Sequence, residues 1–219
     1  PSIRHKYLDT TVHTLISASW AAWQSFDAIL ICNAANGFCC PLLSMGKIAT
    51  WINLDGIERH RKKWGWAGKA WYLLSERLST RLADGFISDA RVIQQYYRDR
   101  YHIPTEYIPY GFADYRTLAS SVLERLRLRS RNYYLYTSRL EPENNAHVVV
   151  RAHALSGSRM PLIIVGDAPY AHRYIERLKG MSGPGVIFTG AIYGADYYAL
   201  QSNAWAYIQA TEVGGTHPA

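Results

Sequence analysis

Short apolar runs alternate along the chain with longer, partly polar stretches. Ala28-Ile-Leu-Ile-Cys32 closes on the turn Asn33-Ala-Ala-Asn36-Gly37, and Ile48-Ala-Thr-Trp-Ile-Asn53 closes on Leu54-Asp55-Gly56. Gly85-Phe-Ile-Ser88 and the brief Thr105-Glu-Tyr-Ile108 follow, the latter ending in Pro109-Tyr110-Gly111. Short runs bounded by turn formers read as buried strands. Trp71, Leu74, Leu78 and Leu82 recur at helical spacing and predict a long helix with one apolar stripe. Ser88 or Asp89 can cap a further helix after the third strand.

Residues 112 to 131 are polar and basic, ending in Glu124-Arg-Leu-Arg-Leu-Arg-Ser-Arg131, and read as a linker or peripheral helix. A second alternating series then begins. Its strands are Tyr133–Thr137, Leu162–Val165, Val186–Thr189 and Ala206–Gln209, with helical segments at about 143–156, 170–179 and 194–203. Buried strands alternating with helices imply parallel sheets joined by right-handed crossovers. The expected architecture is α/β, with two Rossmann-like domains, both incomplete, over 1–112 and 113–219.

Composition narrows the picture. With 219 residues, 48% of them apolar, the chain can build a packed core. Its formal charge of +7 suits anionic partners: sugar nucleotides, lipid phosphates, acidic membranes or nucleic acid. Cys32, Cys39 and Cys40 are odd in number and lack C-x-x-C spacing, so they read as buried thiols of a reducing compartment. No apolar stretch approaches the length of a membrane span, and no signal peptide is visible. The opening Pro1-Ser-Ile-Arg leads us to expect a fragment of a longer cytoplasmic protein.

Ligands of open α/β sheets sit beyond the carboxyl ends of the strands. In the second series those positions hold Ser138-Arg139-Leu-Glu141-Pro142-Glu143-Asn144-Asn145, Gly166-Asp167-Ala168, Gly190-Ala191-Ile192-Tyr193 and Glu212-Val-Gly214-Gly215-Thr216-His217. Arg139 offers a planar fork to phosphate. Gly214 and Gly215 allow close backbone approach to a pyrophosphate at a helix start. Glu212 can accept bonds from sugar hydroxyls, and His217 either caps that helix or touches sugar. A surface arginine after a strand and an ordinary turn glutamate are the plainer alternatives for Arg139 and Glu212. Gly46-Lys47 lacks the glycine loop of a Walker motif, no G-x-S-x-G elbow occurs, and the histidines show no metal-ligand spacing.

The order S-R-L-E-P-E, V-G-D, F-T-G and T-E-V-G-G-T-H-P resembles the donor half of the retaining "group 1" GT-B glycosyltransferases. In the first half, Asn53-Leu-Asp55-Gly56-Ile-Glu58, Ser88-Asp89 and Ile108-Pro109-Tyr110-Gly111 resemble the acceptor half. The wording is similar to a bacterial rhamnosyltransferase-like subgroup acting in cell-surface polysaccharide synthesis. The resemblance implies that Arg139 holds the donor diphosphate and Glu212 contacts the transferred sugar. Gly166, Asp167, Gly214, Gly215, Thr216 and His217 would line the donor pocket, with Ala191 and Ile192 meeting the base. Asp55 and Glu58 would lie on the acceptor side, although Asp55-Gly56 is also an ordinary turn dipeptide. The substrates implied are a nucleotide-diphosphate sugar and a glycan or lipid-linked glycan. No metal or cofactor is implied, and the leaving diphosphate would itself accept the acceptor's proton.

Three departures from that pattern stand out. Asn144 and Asn145 stand where many relatives carry a lysine. The family's second glutamate, downstream of Glu212, is not in this sequence, and neither is the glycine-rich opening of the acceptor domain. We therefore expect these 219 residues to bind donor weakly and turn over little.

The run Arg59-His-Arg61-Lys62-Lys63-Trp64, with Trp66, Lys69 and Trp71 following, has two readings. One is a solvated helix start whose indoles pack partly inward. The other is a patch for an anionic membrane surface, such as the inner face of the plasma membrane. Two further functions stay open: a non-catalytic module binding polyanions, and a nucleotide-sugar epimerase. Nucleic acid is not expected, since no recognisable reading motif occurs.

Overall fold

The computed structural model describes residues 9–57, 65–111 and 121–211. These divide into two compact units, one up to Gly111 and the other beginning after it.

The first unit runs α1 (Asp9–Ala21), β1 (Ala28–Cys32), a 3₁₀ segment (Ala34–Cys39), α2 (Cys40–Met45), β2 (Ala49–Leu54), α3 (Trp66–Leu82), β3 (Gly85–Ser88), α4 (Arg91–Tyr101) and β4 (Glu106–Tyr107). Its sheet has the order β1-β2-β3-β4, with every pairing parallel. Cys32 lies opposite Asn53, Leu54 opposite Ser88, and Ser88 opposite Tyr107, so the carboxyl ends of all four strands share one edge. Ile31, Ile52, Leu54 and Phe86 from the sheet pack with Leu43, Tyr72, Ile93 and Tyr97 from the helices.

Two elements here differ from expectation. Helix α1 buries only Ala18 and Ala21 fully, so it lacks the wide apolar stripe that would reveal it in sequence. The turn expected at Asn33–Gly37 continues instead as a 3₁₀ segment into α2. Asn33 makes the change of direction at φ 76°, accepting the N–H of Ala35 on its side-chain oxygen. Pro41, in the first turn of α2, costs no helical bond there.

Helix α3 is present, but it buries its apolar stripe only in part, Leu82 packing on the core. Tyr72, Ser75, Glu76 and Ser79 point inward, while Trp71 and Leu74 are exposed. Close approach is the reason. A Cβ on Gly37 would lie 2.4 Å from Ser79 Cβ, so only small side chains fit where the 3₁₀ segment meets α3. The polar groups on this face are hydrogen-bonded, as burial requires. Ser75 Oγ accepts the N–H of Phe38 at 3.1 Å and donates toward Ala35 O at 2.8 Å. Tyr72 donates to Gly56 O, and Tyr96 donates to Glu76 Oε1 at 2.7 Å.

The cap expected before α4 also differs. Ala90 occupies the N-cap without a side-chain bond, and Ser88 Oγ pairs with Thr105 Oγ1 at 2.9 Å. That bond joins β3 to the segment leading into β4 instead of closing a helix end.

The second unit runs α5 (Ser121–Arg125), β5 (Tyr134–Thr137), a 3₁₀ turn (Pro142–Asn144), α6 (Ala146–Ser156), β6 (Leu162–Val165), α7 (His172–Gly180), β7 (Val186–Gly190), α8 (Gly194–Asn203) and β8 (Ala206–Ile208). Its parallel sheet has the order β7-β6-β5-β8. Strand β6 is buried on both faces. Leu162 and Ile164 join Val149, Val150 and Leu178 on one side, and Ile163 and Val165 join Tyr133, Leu135 and Leu200 on the other. A continuously apolar strand is what a sheet covered by helices on both faces requires. Within the stretch read as a linker or peripheral helix, α5 sends Val122 into the second of these cores and ties Arg125 to Asp196 at 2.9 Å.

Candidate functional site

In the second unit the strands deliver their following loops to one edge. Tyr136 lies opposite Ile208, which places the segments leaving β5 and β8 side by side. Asn145 Nδ2 donates to Ala210 O at 3.0 Å and closes that junction. Arg139 leaves this edge with its side chain exposed. Its carbonyl oxygen accepts from Glu141 N at 2.7 Å and Asn144 Nδ2 at 2.6 Å. The backbone is thus held twice while the guanidinium projects outward. Behind it, Ser138 Oγ donates to Tyr136 OH at 2.9 Å and Tyr136 donates to Asn144 O. Burial pushes the Tyr136 phenol up to about 12, so it stays a donor at neutral pH.

Asn144 is the residue that the lysine-bearing pattern leads one to read as a weakened phosphate ligand. Its amide instead goes to the Arg139 carbonyl, and the residue is only 7% exposed. Asn145 adopts the left-handed conformation, φ 60°, that asparagine tolerates better than lysine does. Both asparagines therefore shape the loop that carries Arg139.

Gly166 and Asp167 follow β6. A Cβ on Gly166, at φ 142°, would fall 1.8 Å from Ser138 O, and its N–H donates to Gly190 O at 2.8 Å. The glycine is needed for packing between strand ends. Asp167 Oδ1 accepts from Ala168 N at 2.7 Å, and its carbonyl accepts from Leu140 N at 3.3 Å. Beyond β7, Ala191 is exposed, whereas Ile192 packs against the core under α8. Next to them Tyr193 is 84% exposed between Gly190 and Gly194, both at positive φ. An aromatic between two glycines at a strand's carboxyl end is the signal in the sequence that could have marked it. Glu212, Gly214, Gly215, Thr216 and His217 lie outside the described residues.

In the first unit, Asp55 is half-buried just past β2, beside Gly56, whose carbonyl anchors Tyr72. Asp89, just past β3 and part of the Ser88-Asp89 pair that resembles the acceptor half, is only 2% exposed. Glu58 and the run Arg59, Arg61, Lys62, Lys63 and Trp64 lie outside the described residues, while Trp66 opens α3 at 86% exposure. The cysteines require a correction. Cys39 and Cys40 are buried, and burial raises both thiols to about 11, but Cys32 is exposed at the end of β1. Among the described residues no group of three or more His, Cys, Asp or Glu side chains is arranged to hold a metal, and no helix is long and apolar enough to cross a membrane.

The fold class is α/β, built from Rossmann-like parallel sheets of the GT-B type, and solved structures share it. The Anabaena protein HepE, crystallised with UDP and glucose, superposes at a TM-score of 0.72 with 18% identity, over 95% of this chain and 58% of that one. Sucrose-phosphate synthase from Thermosynechococcus elongatus gives 0.72 with 19% identity, over 92% and 55%. UDP-N-acetylglucosamine 2-epimerase from Rickettsia bellii gives 0.62 with 16% identity, over 93% and 56%. The chain spans a little over half the length of these proteins. A family model described as a domain of unknown function, DUF1972, matches residues 33–113. No curated protein matches the sequence.

Proposed function

We propose that the chain is part of a glycosyltransferase that moves a hexosyl or deoxyhexosyl group, rhamnose being the sugar we favour, from a nucleotide-diphosphate donor to a glycan or lipid-linked glycan with retention. One observation carries the reading. Arg139 projects an exposed guanidinium from a backbone held by two hydrogen bonds, at the sheet edge where β5 and β8 end together. A planar cation on a fixed backbone suits a leaving diphosphate, whose charge grows as the glycosidic bond breaks. That HepE was crystallised with UDP and glucose on this fold supports the choice of ligand class.

In this proposal neither metal nor cofactor takes part, because Arg139 and backbone N–H groups supply the countercharge. Glu212 touches the transferred sugar, and the Gly214-Gly215-Thr216-His217 turn lines its pocket. Gly166 and Asp167 shape that pocket through the Arg139 loop, and Ala191 with Ile192 offers backbone groups to the base. Asp55 and Glu58 serve the acceptor. The enzyme would work in the cytoplasm, at the inner face of the plasma membrane where lipid-linked acceptors lie. The epimerase among the structural neighbours keeps a second reading in view, in which the same diphosphate site serves isomerisation of the sugar.

A thermal-shift panel of sugar nucleotides tests the proposal. Stabilisation by one or more nucleoside-diphosphate sugars, lost in Arg139→Ala, is expected. No response to any, or an equal response in the variant, would contradict it. Incubating the full-length protein with the responding sugar nucleotide separates the readings, since an epimerase converts it without an acceptor.

A further inference from the structure

Helix α3 (Trp66–Leu82) has an inverted amphipathic pattern. Its inward face is Tyr72, Ser75, Glu76 and Ser79. Its outward face carries Trp66, 86% exposed, Leu74, 52%, and Trp71, 45%, the last with its ring 5.3 Å from Phe38. Trp66, Leu74, Arg77 and Arg81 follow one another at offsets of eight, three and four residues, which is the spacing of a single helical stripe. Lys69 flanks that stripe and is exposed. The helix has one acidic residue, Glu76, and it is fully buried on the opposite side. The exposed stripe therefore combines large apolar groups with cations and no anion. From Trp66 to Arg81 it runs about 22 Å.

An ordinary surface helix keeps its polar residues in water and buries its apolar ones. Here contact with Gly37 demands the small polar face, so the indoles and the leucine are left outside. Exposed indoles in the first half of the helix with arginines in the second match an anionic phospholipid surface. The guanidinium groups reach phosphate while the indoles settle at headgroup depth. A nucleic acid would match the charge but leave Leu74 and the edges of the indoles unused.

We infer that the outward face of α3 is a docking surface for a bilayer rich in anionic phospholipid. It deepens the lipid-linked-acceptor reading above, yet it stands on α3 alone, and its test requires neither donor nor transfer.

Co-sedimentation of the 219-residue chain with vesicles decides it. Binding is expected to phosphatidylcholine vesicles containing phosphatidylglycerol and not to phosphatidylcholine alone. Two basic side chains near such a surface contribute enough that R77Q/R81Q should weaken binding about thirtyfold. Trp66→Ala should weaken it further, and circular dichroism should show both variants folded. Equal binding to both vesicle types, no binding to either, or undiminished binding by R77Q/R81Q would overturn the inference. So would a concentration-dependent dimer of the parent chain that R77Q/R81Q abolishes, because the face would then belong to a second copy. Loss of the nucleotide response with vesicle binding intact would instead sink the transferase reading alone.

Discussion

Gly166 Cα lies so close to the Ser138 carbonyl that a methyl group on Gly166 would sit 1.8 Å from its oxygen. Two strand ends, after β5 and β6, meet there with no room for a side chain, and Gly166 has φ 142°. Both steric overlap and backbone conformation exclude alanine. Gly166→Ala should destabilise the second unit by about 3 kcal/mol and loosen the Arg139 loop, because Ser138 precedes it. Urea denaturation followed by circular dichroism checks the first effect. A change below about 1 kcal/mol would show that the loop can yield.

Gly37 plays the corresponding part in the first unit, against Ser79 of α3. Gly37→Ala should cost about 2 kcal/mol. Adding Ser79→Gly should recover only part of that, because the Ser75 carbonyl, 2.9 Å from the added Cβ, remains in place. A double-mutant cycle in urea measures the coupling, and strictly additive effects would place the clash elsewhere.

Stability should fall at alkaline pH. Burial raises Cys39 and Cys40 to about 11 from 9.0, and Tyr133 and Tyr136 to about 12 from 10.0. The unfolded chain loses these protons first, so between pH 9 and 12 the folded state holds more protons. The contribution is complete below pH 9 and disappears as pH rises through that window. Melting temperatures across it should decline steadily, and a flat profile to pH 11 would contradict the burial of these groups.

Thiol chemistry reads the same cores. At pH 8 Ellman's reagent should label Cys32 rapidly and leave Cys39 and Cys40 protected until denaturant is added. Three fast thiols in the native chain would disprove the packing around α2.

How much of this was visible in the sequence depends on what each element buries. Strand β6, Leu-Ile-Ile-Val, is apolar on both faces, and its sequence alone marks it as a central strand. Helix α1 buries two alanines, and nothing in its periodicity sets it apart. Helix α3 has helical spacing, but half of the stripe that reveals it, Trp71 and Leu74, stays exposed, because a glycine in another element selects which face goes in. At the candidate site Arg139 was recognisable from its place after a strand. The roles of Asn144 and Gly166 were not, since both depend on carbonyls brought close only by folding. Asp89 was legible as part of the Ser88-Asp89 pair after a strand, but its burial was not, since that comes from neighbouring elements and leaves no local mark.

The central claim is that Arg139 binds the diphosphate of a nucleotide donor. The most direct measurement is a titration of the isotope-labelled chain with UDP, followed by amide NMR shifts, which register weak binding. Shifts concentrated at residues 138–140 and 190–192 are expected, with affinity falling about ten- to a hundredfold in Arg139→Gln. Shifts that avoid those strand ends, or an affinity unchanged by the substitution, would contradict it.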